Sequence, residues 1–337
     1  MTLGILWFML IALLITVYFV LDGFDLGSAI LMPFVAKTEG EKRAVTHAIG
    51  PVWDGNEVWL LTAGGALFAA FPAAYACSFS GFYLAIMLVL FCLILRAVSV
   101  EFRNMDPAWS KLWDGCLFVG SLLPALLFGV ALGNCLVGIP IDANGDYAGT
   151  FFGLLRPVPL LCGLMGLSAI VVQGAAWLCA KTPLDSEIRA RCVKARTWGV
   201  IVELALYIVL TIVALAFGLG ESNGLAIVAI VIGVLCIVAS LVLDVVSVRS
   251  EGGDWTAFAA NCAMCVGLVL IFAGSMFPNF IVCNTDAALS ITIATAASSN
   301  LTLTVMTVVT CICVPLVAVY HVLVYRAFRG RVEVEEA

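Results

Sequence analysis

Two carboxylic acids stand out in this sequence because they lie inside a long apolar run. Asp22 and Asp25 are three residues apart, so a helix would place both on one face. A charged side chain at the centre of a bilayer costs about 2.5 to 3.5 kcal/mol on insertion scales, and it therefore requires a chemical reason. The pattern predicts a protonatable or ion-binding site between helices. The alternative is a carboxylate that simply contacts water at the inner helix end.

The second apolar run begins with a dense group of polar and aromatic residues, namely Trp53, Asp54, Asn56, Glu57 and Trp59. Pro51 suits the first position of a helix. Asp54 and Glu57 would then lie in the first turns, where the positive end of the helix dipole favours an anion. Plain helix capping is the alternative, and it explains Asp54 alone better than it explains the whole group.

Small residues in the first run indicate how another helix could reach these acids. Gly23 and Gly27 bracket Asp25 with a spacing that allows close helix contact. Glu101 follows the third apolar run beside Arg96 and Arg103, and the spacing alone favours a surface ion pair.

The elements that must position these side chains follow from composition. Of the 337 residues, 63% are hydrophobic and 11% are charged, which excludes a water-soluble domain and indicates an integral membrane protein. The chain has no basic stripe, so nucleic-acid binding is excluded. No basic segment or small-residue cleavage site precedes the first apolar run, which indicates a retained helix rather than a cleaved signal peptide.

Nine apolar runs are long enough to span a bilayer as helices. They lie at 3–31, 51–72, 78–98, 115–137, 157–180, 197–219, 224–247, 256–278 and 301–326. The connections are short, so we predict one all-α transmembrane domain over residues 1–337.

Basic residues predict the orientation of these helices, because they collect on the cytoplasmic side. With nine helices and the N-terminus outside, Arg156 is the one basic residue among the 16 that falls in an outer connection. The sequence therefore predicts nine transmembrane helices, an outer N-terminus and a cytoplasmic C-terminus.

This topology gives the acids a common location. Glu203 and Asp244 lie near the inner ends of the sixth and seventh runs, where each alone is more typical of an interhelical hydrogen bond than of a site. The acids that fall in or next to the cytoplasmic half are Asp22, Asp25, Asp54, Glu57, Glu101, Glu203 and Asp244. The outer half of the helices has none. This distribution predicts an inlet that stops partway across the membrane, rather than a carrier with groups at the midplane and beyond.

Histidine and cysteine do not predict a metal centre in this chain. Haem iron needs axial ligands on facing helices, whereas His47 falls in an inner connection and His321 lies late in the last run. The 13 cysteines lie mostly singly in apolar runs and are expected to pack as small apolar residues. Cys135 and Cys283 fall near the outer surface, and the sequence leaves open whether they form a disulfide.

Two segments carry a specific resemblance. Residues 23–27 (GFDLG) and 50–72 (GPVWDGNEVWLLTAGGALFAAFP) closely resemble subunit II of the cytochrome bd family of quinol oxidases. The likeness continues through residues 80–83, 96–103, 133–134, 173–174 and 299–306, and so covers nearly the whole chain.

The resemblance implies an activity and partners. In that family, two related nine-helix subunits form a heterodimer in the bacterial cytoplasmic (inner) membrane, where it oxidises quinol and reduces oxygen to water in aerobic respiration. Subunit I carries the haem b and haem d groups and the quinol-oxidising loop. The resemblance therefore implies a chain that binds no haem or metal, is inactive alone, supports assembly and supplies cytoplasmic protons. It also implies contacts with membrane lipids and allows small single-helix accessory subunits.

The resemblance also assigns site residues. The proton-path acids of the family match Asp25, Asp54 and Glu101, where the last is Asp in some members, and the position of Asp22 and Glu57 adds them to this group. Asp54 is expected to be the most sensitive. Some members hold a structural quinone, with Trp53 in the matching neighbourhood, but the short connection around Glu221 leaves a quinone open here.

Two alternatives stay open at this stage. Whether the complex is a haem bd enzyme or a cyanide-insensitive variant depends on subunit I. The other class of function is a stand-alone secondary ion or proton-coupled transporter, which would be active without a partner.

Overall fold

The protein is built almost entirely of α-helices. The computed structural model describes residues 2–219, 224–249 and 253–334. Its helices are α1 (Thr2–Val35), α2 (Glu39–Ile49), α3 (Trp53–Ala70), α4 (Pro72–Gly81), α5 (Tyr83–Phe102), α6 (Ser110–Val137), α7 (Pro157–Lys181), α8 (Glu187–Phe217), α9 (Gly224–Arg249), α10 (Asp254–Met276), α11 (Ile293–Ala296) and α12 (Asn300–Ala327). Two short antiparallel strands, β1 (Asn279–Ile281) and β2 (Ile291–Thr292), lie between α10 and α11.

The predicted all-α membrane fold is confirmed. Within the described ranges, eight helices are long and apolar enough to cross a membrane: α1, α5, α6, α7, α8, α9, α10 and α12. The predicted run 51–72 coincides with α3, which is not among the eight. Its first turns carry Asp54, Asn56 and Glu57, and these polar residues lower its mean hydropathy. The count of nine spans and the orientation in the membrane stay predictions.

The structure adds a helix that the hydropathy pattern did not predict. Helix α2 begins with a capping box, in which the Thr38 side chain accepts from the Glu41 N–H and the Glu41 carboxylate accepts from the Thr38 N–H. Val45 and Ile49 are buried in the same core as residues of α1 and α7. Helix α2 thus covers one end of the bundle.

Helices α1 and α7 touch through their backbones. A Cβ on Gly27 would lie 2.0 Å from the Ile170 carbonyl oxygen, and one on Gly174 would lie 2.2 Å from the Gly27 carbonyl carbon. Only glycine fits at such a contact, so the close approach predicted from the Gly23 and Gly27 spacing is confirmed at Gly27. The Gln173 amide also donates to the Val20 carbonyl at 2.8 Å.

Ion pairs join the helix ends at one end of the bundle. Lys42 of α2 pairs with Asp114 at 2.8 Å, and Arg103 pairs with Asp114 and with Glu39. Partial burial alone would raise the pKa of Glu39, but hydrogen bonds from Lys42 and Arg103 lower it. Arg156 lies at the opposite end, where it donates to the Gly138 carbonyl. The basic residues thus separate in space as they do in the sequence.

Cys135 and Cys283 are both free thiols, so the disulfide that the sequence left open is not formed. The two residues nevertheless lie on adjacent segments, because the Val282 N–H donates to the Cys135 carbonyl at 3.2 Å. The Cys283 sulfur lies 3.1 Å from the Thr285 hydroxyl.

Candidate functional site

A buried arginine is the centre of the largest group of predicted site residues. Arg96 of α5 is 1% exposed, and its guanidinium donates to the Asp22 carboxylate at 2.7 Å and to the Glu57 carboxylate at 3.0 Å. We call Asp22, Asp25, Asn56, Glu57 and Arg96 the Arg96 cluster. The surface ion pair expected among Arg96, Glu101 and Arg103 is therefore wrong. Arg96 instead pairs with acids of α1 and α3. Arg103, two turns further along at the end of α5, binds Glu39 and Asp114.

Asp25 is held differently from Asp22. It is 1% exposed, and its Oδ2 accepts from the Asn56 amide at 2.7 Å. The same amide donates to the Leu21 carbonyl at 3.1 Å, while the Tyr325 hydroxyl donates to the Asn56 Oδ1 at 2.9 Å. These contacts fix the orientation of the Asn56 amide, and Asp25 has no arginine in contact with it.

Two carboxylate oxygens of the cluster lack a hydrogen-bond partner among the described residues. They are Oδ2 of Asp22 and Oδ1 of Asp25, and both are buried. Buried polar atoms without partners are rare, because leaving one unpaired costs about 1 to 3 kcal/mol. The cluster also holds three acids and one arginine. It is therefore suited to bind a proton, which adds a hydrogen-bond donor and removes a negative charge.

Asp54 and Glu101 lie outside the buried part of the cluster. Asp54 is exposed in the first turn of α3, near enough to Glu57 to interact with it electrostatically. Glu101 is exposed at the end of α5, and its carboxylate accepts from the Trp53 indole at 3.3 Å. The predicted acids thus divide into three in the cluster, Asp22, Asp25 and Glu57, and two exposed groups at its edge.

The contact between Trp53 and Glu101 bears on the predicted quinone site. Because the Trp53 indole already donates to Glu101, it is not free to donate to a quinone carbonyl. The connection around Glu221 lies outside the described residues. A quinone near Trp53 stays a prediction.

Neither histidine presents a free ring nitrogen inside the bundle. The Trp59 indole donates to the His321 Nε2 at 3.1 Å, and the His321 Nδ1 lies 3.0 Å from the Val317 carbonyl. The Nε2 also lies 3.1 Å from the Gly55 carbonyl, so both ring nitrogens have a partner in either tautomer. His47 is exposed on α2. His321 therefore has the hydrogen-bonded packing role that its position in the sequence favoured.

Glu203 and Asp244 also meet, although the sequence treated each alone. Asp244 of α9 is near enough to Glu203 of α8 to interact with it electrostatically, and the Asn261 amide of α10 donates to the Asp244 carboxylate at 3.4 Å. We call Glu203, Asp244, Asn261, Ser240 and Arg196 the Glu203 cluster. The acids that were predicted to line one inlet thus fall into two groups.

Two residues of the site, Arg96 and Tyr325, were not predicted from the sequence. Arg96 was considered only as a neighbour of Glu101, although a charge inside the apolar run 78–98 was a signal of its own. Tyr325 gave no comparable signal, because its contact with Asn56 joins residues 269 positions apart.

Comparison with known proteins gives consistent matches over nearly the whole chain. A family model described as cytochrome bd terminal oxidase subunit II matches residues 3–328. A probable cytochrome oxidase subunit 2 of Haemophilus influenzae is 37% identical, over 97% of this chain and 94% of the relative. The cytochrome bd-I ubiquinol oxidase subunit 2 of Escherichia coli strain K12 is 33% identical, over 98% of this chain and 95% of the relative.

The fold also has a solved counterpart. A chain in the structure of bd oxidase from Geobacillus thermodenitrificans superposes with a TM-score of 0.75 and 14% sequence identity. The match covers 97% of this chain and 99% of that one, so the two share their fold over the full length.

Proposed function

The chain belongs to the cytochrome bd terminal oxidase subunit II family, and we propose that it is the haem-free subunit of a quinol-oxidising, oxygen-reducing complex. The match over residues 3–328 confirms the resemblance drawn from the motifs. We further propose that it pairs with a haem-bearing subunit I in the bacterial inner membrane and supplies cytoplasmic protons for the reduction of oxygen to water. The observation that carries this proposal is the buried, acid-rich Arg96 cluster.

The state of the histidines supports the absence of haem from this chain. A haem iron needs an axial nitrogen or sulfur that is free to bind it. Both ring nitrogens of His321 are engaged, and His47 is exposed outside the core. We therefore assign the haem groups to the partner subunit.

The acids of the Arg96 cluster have separate roles in the proposed proton supply. Asp22 and Glu57 are ion-paired with Arg96, which fixes their carboxylates in place and makes them positioning residues. Asp25 has one hydrogen bond from an amide and one unpaired oxygen, so it is the group that can most readily take up and release a proton. Protons pass between such groups through ordered water.

The burial of the individual acids supports a different order of sensitivity to substitution from the one expected from the sequence. Asp54 lies in the first turn of α3 but is exposed, so bulk water can replace it as a proton donor. Glu101 is exposed as well. Asp25 is buried, and no solvent can substitute for it there. We propose that Asp54 and Glu101 form the entrance and that Asp25 is the essential carrier.

The exposed side chains of α3 support the proposal that a partner subunit covers this helix. Glu57 is 21% exposed on this helix, beside the strongly exposed side chains of Val58 and Leu61. In the isolated chain this ion-paired carboxylate would border the hydrocarbon, which is unfavourable for a charged group. A subunit I packed against α3 would cover Glu57. Protons from the Arg96 cluster would then pass directly into that subunit.

Purification from the native membrane tests the proposed assembly. The chain carrying an affinity tag after Ala337 should bring down a haem-bearing partner, and the complex should show haem b and haem d absorption bands and quinol oxidase activity. Replacing His47 and His321 together should leave the haem spectrum intact in an assembled complex. Purification of the chain alone, with proton-coupled transport after reconstitution in liposomes, would contradict the proposal and favour the transporter class.

A further inference from the structure

The Glu203 cluster holds several oxygen atoms that are buried and have no hydrogen-bond partner in the part of the chain that the structure describes. They are both carboxylate oxygens of Glu203, Oδ2 of Asp244, Oδ1 of Asn261 and the hydroxyl of Ser240. All four residues are at most 4% exposed. The cost of unpaired buried atoms adds up over such a set, so the structure points to a ligand that satisfies them together.

The backbone brings these oxygens to one place. Ser240 and Asp244 are four residues apart on one face of α9, and Asn261 of α10 contacts Asp244 at 3.4 Å. Glu203 reaches them from α8, where it interacts electrostatically with Asp244 and with Cys265, one turn beyond Asn261. Three helices thus contribute to one oxygen-lined site.

The charges around this site do not balance. When both acids are ionised, Glu203 and Asp244 carry two negative charges, whereas Arg196, seven residues before Glu203 on α8, carries one positive charge. The neighbouring side chains of Cys265, Cys262 and Gln173 are neutral. Asp254 of α10 is already paired with Arg189 and Arg331. Among the described side chains, which do not include that of Arg249, the site therefore has a net charge of minus one.

A monovalent cation satisfies the oxygens and, with both acids ionised, the charge, but it leaves the unpaired Nη1 of Arg196 as it is. Hard cations prefer carboxylate, amide and hydroxyl oxygens, whereas transition metals prefer nitrogen and sulfur ligands. In the described residues, no three His, Cys, Asp or Glu side chains gather as they would around a metal ion. A divalent ion would leave an excess positive charge in an apolar bundle, whereas a monovalent ion leaves none.

The competing occupants satisfy only part of these requirements. Water could donate hydrogen bonds to the oxygens but would leave the negative charge in place. A proton on Glu203 would remove the charge and would donate one hydrogen bond to a neighbouring oxygen, but the other oxygens of the set would stay unpaired.

We propose that α8, α9 and α10 enclose a binding site for a monovalent alkali cation, held by Glu203, Asp244, Asn261 and Ser240. The ion links α8 to α9, which Arg196 and Ser247 already join by a long hydrogen bond of 3.5 Å. The site is separate from the Arg96 cluster and does not depend on its role in proton supply.

Direct binding of radioactive Na⁺ and Rb⁺ tests the site. The protein is purified with the subunits that accompany it and dialysed against choline chloride, and bound ions are counted at equilibrium. We expect saturable binding of at least one of the two ions, with one ion per chain. The measurement requires no turnover, so it can fail or succeed independently of the oxidase proposal.

Matched variants assign the bound ion to these residues. Glu203→Gln and Asp244→Asn should abolish binding. Ser240→Ala, which removes one oxygen and no charge, should weaken it roughly tenfold or more. Asp185→Asn, at an exposed acid between α7 and α8, should bind as the wild type does.

Three results would overturn the proposal. One is the absence of saturable binding of both ions to the wild type. Another is unchanged binding in all three site variants. The third is an infrared band of a protonated carboxylic acid that disappears in Glu203→Gln, because it would show that a proton occupies the site. Ser240→Ala keeps the test decisive if the charge variants fail to fold.

Discussion

The Arg96 cluster and the Glu203 cluster both bury acids in the bundle, but they compensate the charge in different ways. In the first, Arg96 contacts two carboxylates directly, at 2.7 and 3.0 Å. In the second, neither oxygen of Glu203 has a hydrogen-bond partner among the described residues, and Arg196 forms no ion pair with Glu203 there. An arginine in direct contact makes the charge part of the folded structure, whereas acids without such a contact need an exchangeable ligand. The contacts of each acid, more than its depth, indicate its role.

The largest expected effect is the loss of the fixed charge in the first cluster. Arg96→Met would leave Asp22 and Glu57 buried without a cation, which typically costs about 3 to 5 kcal/mol. We expect the variant to unfold at a much lower temperature than the wild type, measured by the thermal loss of the monodisperse detergent peak.

A control variant and a rescue variant show whether this loss of stability comes from the uncompensated charge. Arg329→Gln removes an exposed arginine of the C-terminal segment and should unfold as the wild type does. Adding Asp22→Asn to Arg96→Met removes one of the uncompensated charges and should recover part of the loss. Wild-type stability of Arg96→Met alone would mean that the arginine does not hold the cluster together.

A smaller effect is expected where α1 and α7 meet between the two clusters. Gln173 of α7 lies between the two clusters. Its amide donates to Val20 of α1, and its carbonyl lies 3.6 Å from the Cys265 sulfur of α10. Gly27→Val would force the two helices apart, at a cost of about 1 to 3 kcal/mol or more. Both quinol oxidase turnover and alkali cation binding should fall, whereas Gly64→Ala, with open space around it, should change neither. Loss of only one of the two properties would show that the clusters are not coupled through this contact.

Removing one negative charge from each cluster should change the stability of the protein in opposite directions, or lower it only in the first cluster. Asp22→Asn leaves Arg96 with Glu57 alone and should destabilise the protein by about 1 to 3 kcal/mol. Glu203→Gln, in choline chloride, removes an uncompensated charge and should leave stability unchanged or raise it. Thermal unfolding of both variants in the same buffer gives the difference. Equal destabilisation by both would contradict the distinction between the clusters.

The smallest effect is expected at the exposed edge of the Arg96 cluster. Trp53→Phe removes the indole donor to Glu101, a contact in a solvent-exposed setting whose loss should cost less than about 1 kcal/mol. Turnover should stay near the wild-type rate. A large loss of turnover would show that the orientation of Glu101, and not only its charge, controls proton entry.

The sequence predicts the helices of this fold well and the partners of its buried side chains poorly. Eight of the nine apolar runs coincide with one helix each, because hydrophobicity over about 20 residues is a local property. The run 78–98 instead begins in α4 and continues into α5. The short helix α2 was not predicted, because it is amphipathic and lies outside those runs. For the acids, the sequence identified Asp22, Asp25 and Glu57 as a group, but not the arginine that separates their roles. The pairing of Arg96 with Asp22 spans 74 positions, and only the packing of α1 against α5 determines it.

Proton delivery through Asp25 is the central claim, and turnover of an assembled Asp25→Asn complex tests it most directly. The substitution keeps the shape of the side chain but removes its titration. With normal haem content and normal oxygen binding to the reduced enzyme, quinol oxidase turnover and proton uptake should fall about a hundredfold, the lower range of general acid–base effects. Asp25→Glu should restore part of the rate, and Asp146→Asn, at an exposed acid near the opposite end, should leave it unchanged. Wild-type turnover in an assembled Asp25→Asn complex would contradict proton delivery through this residue.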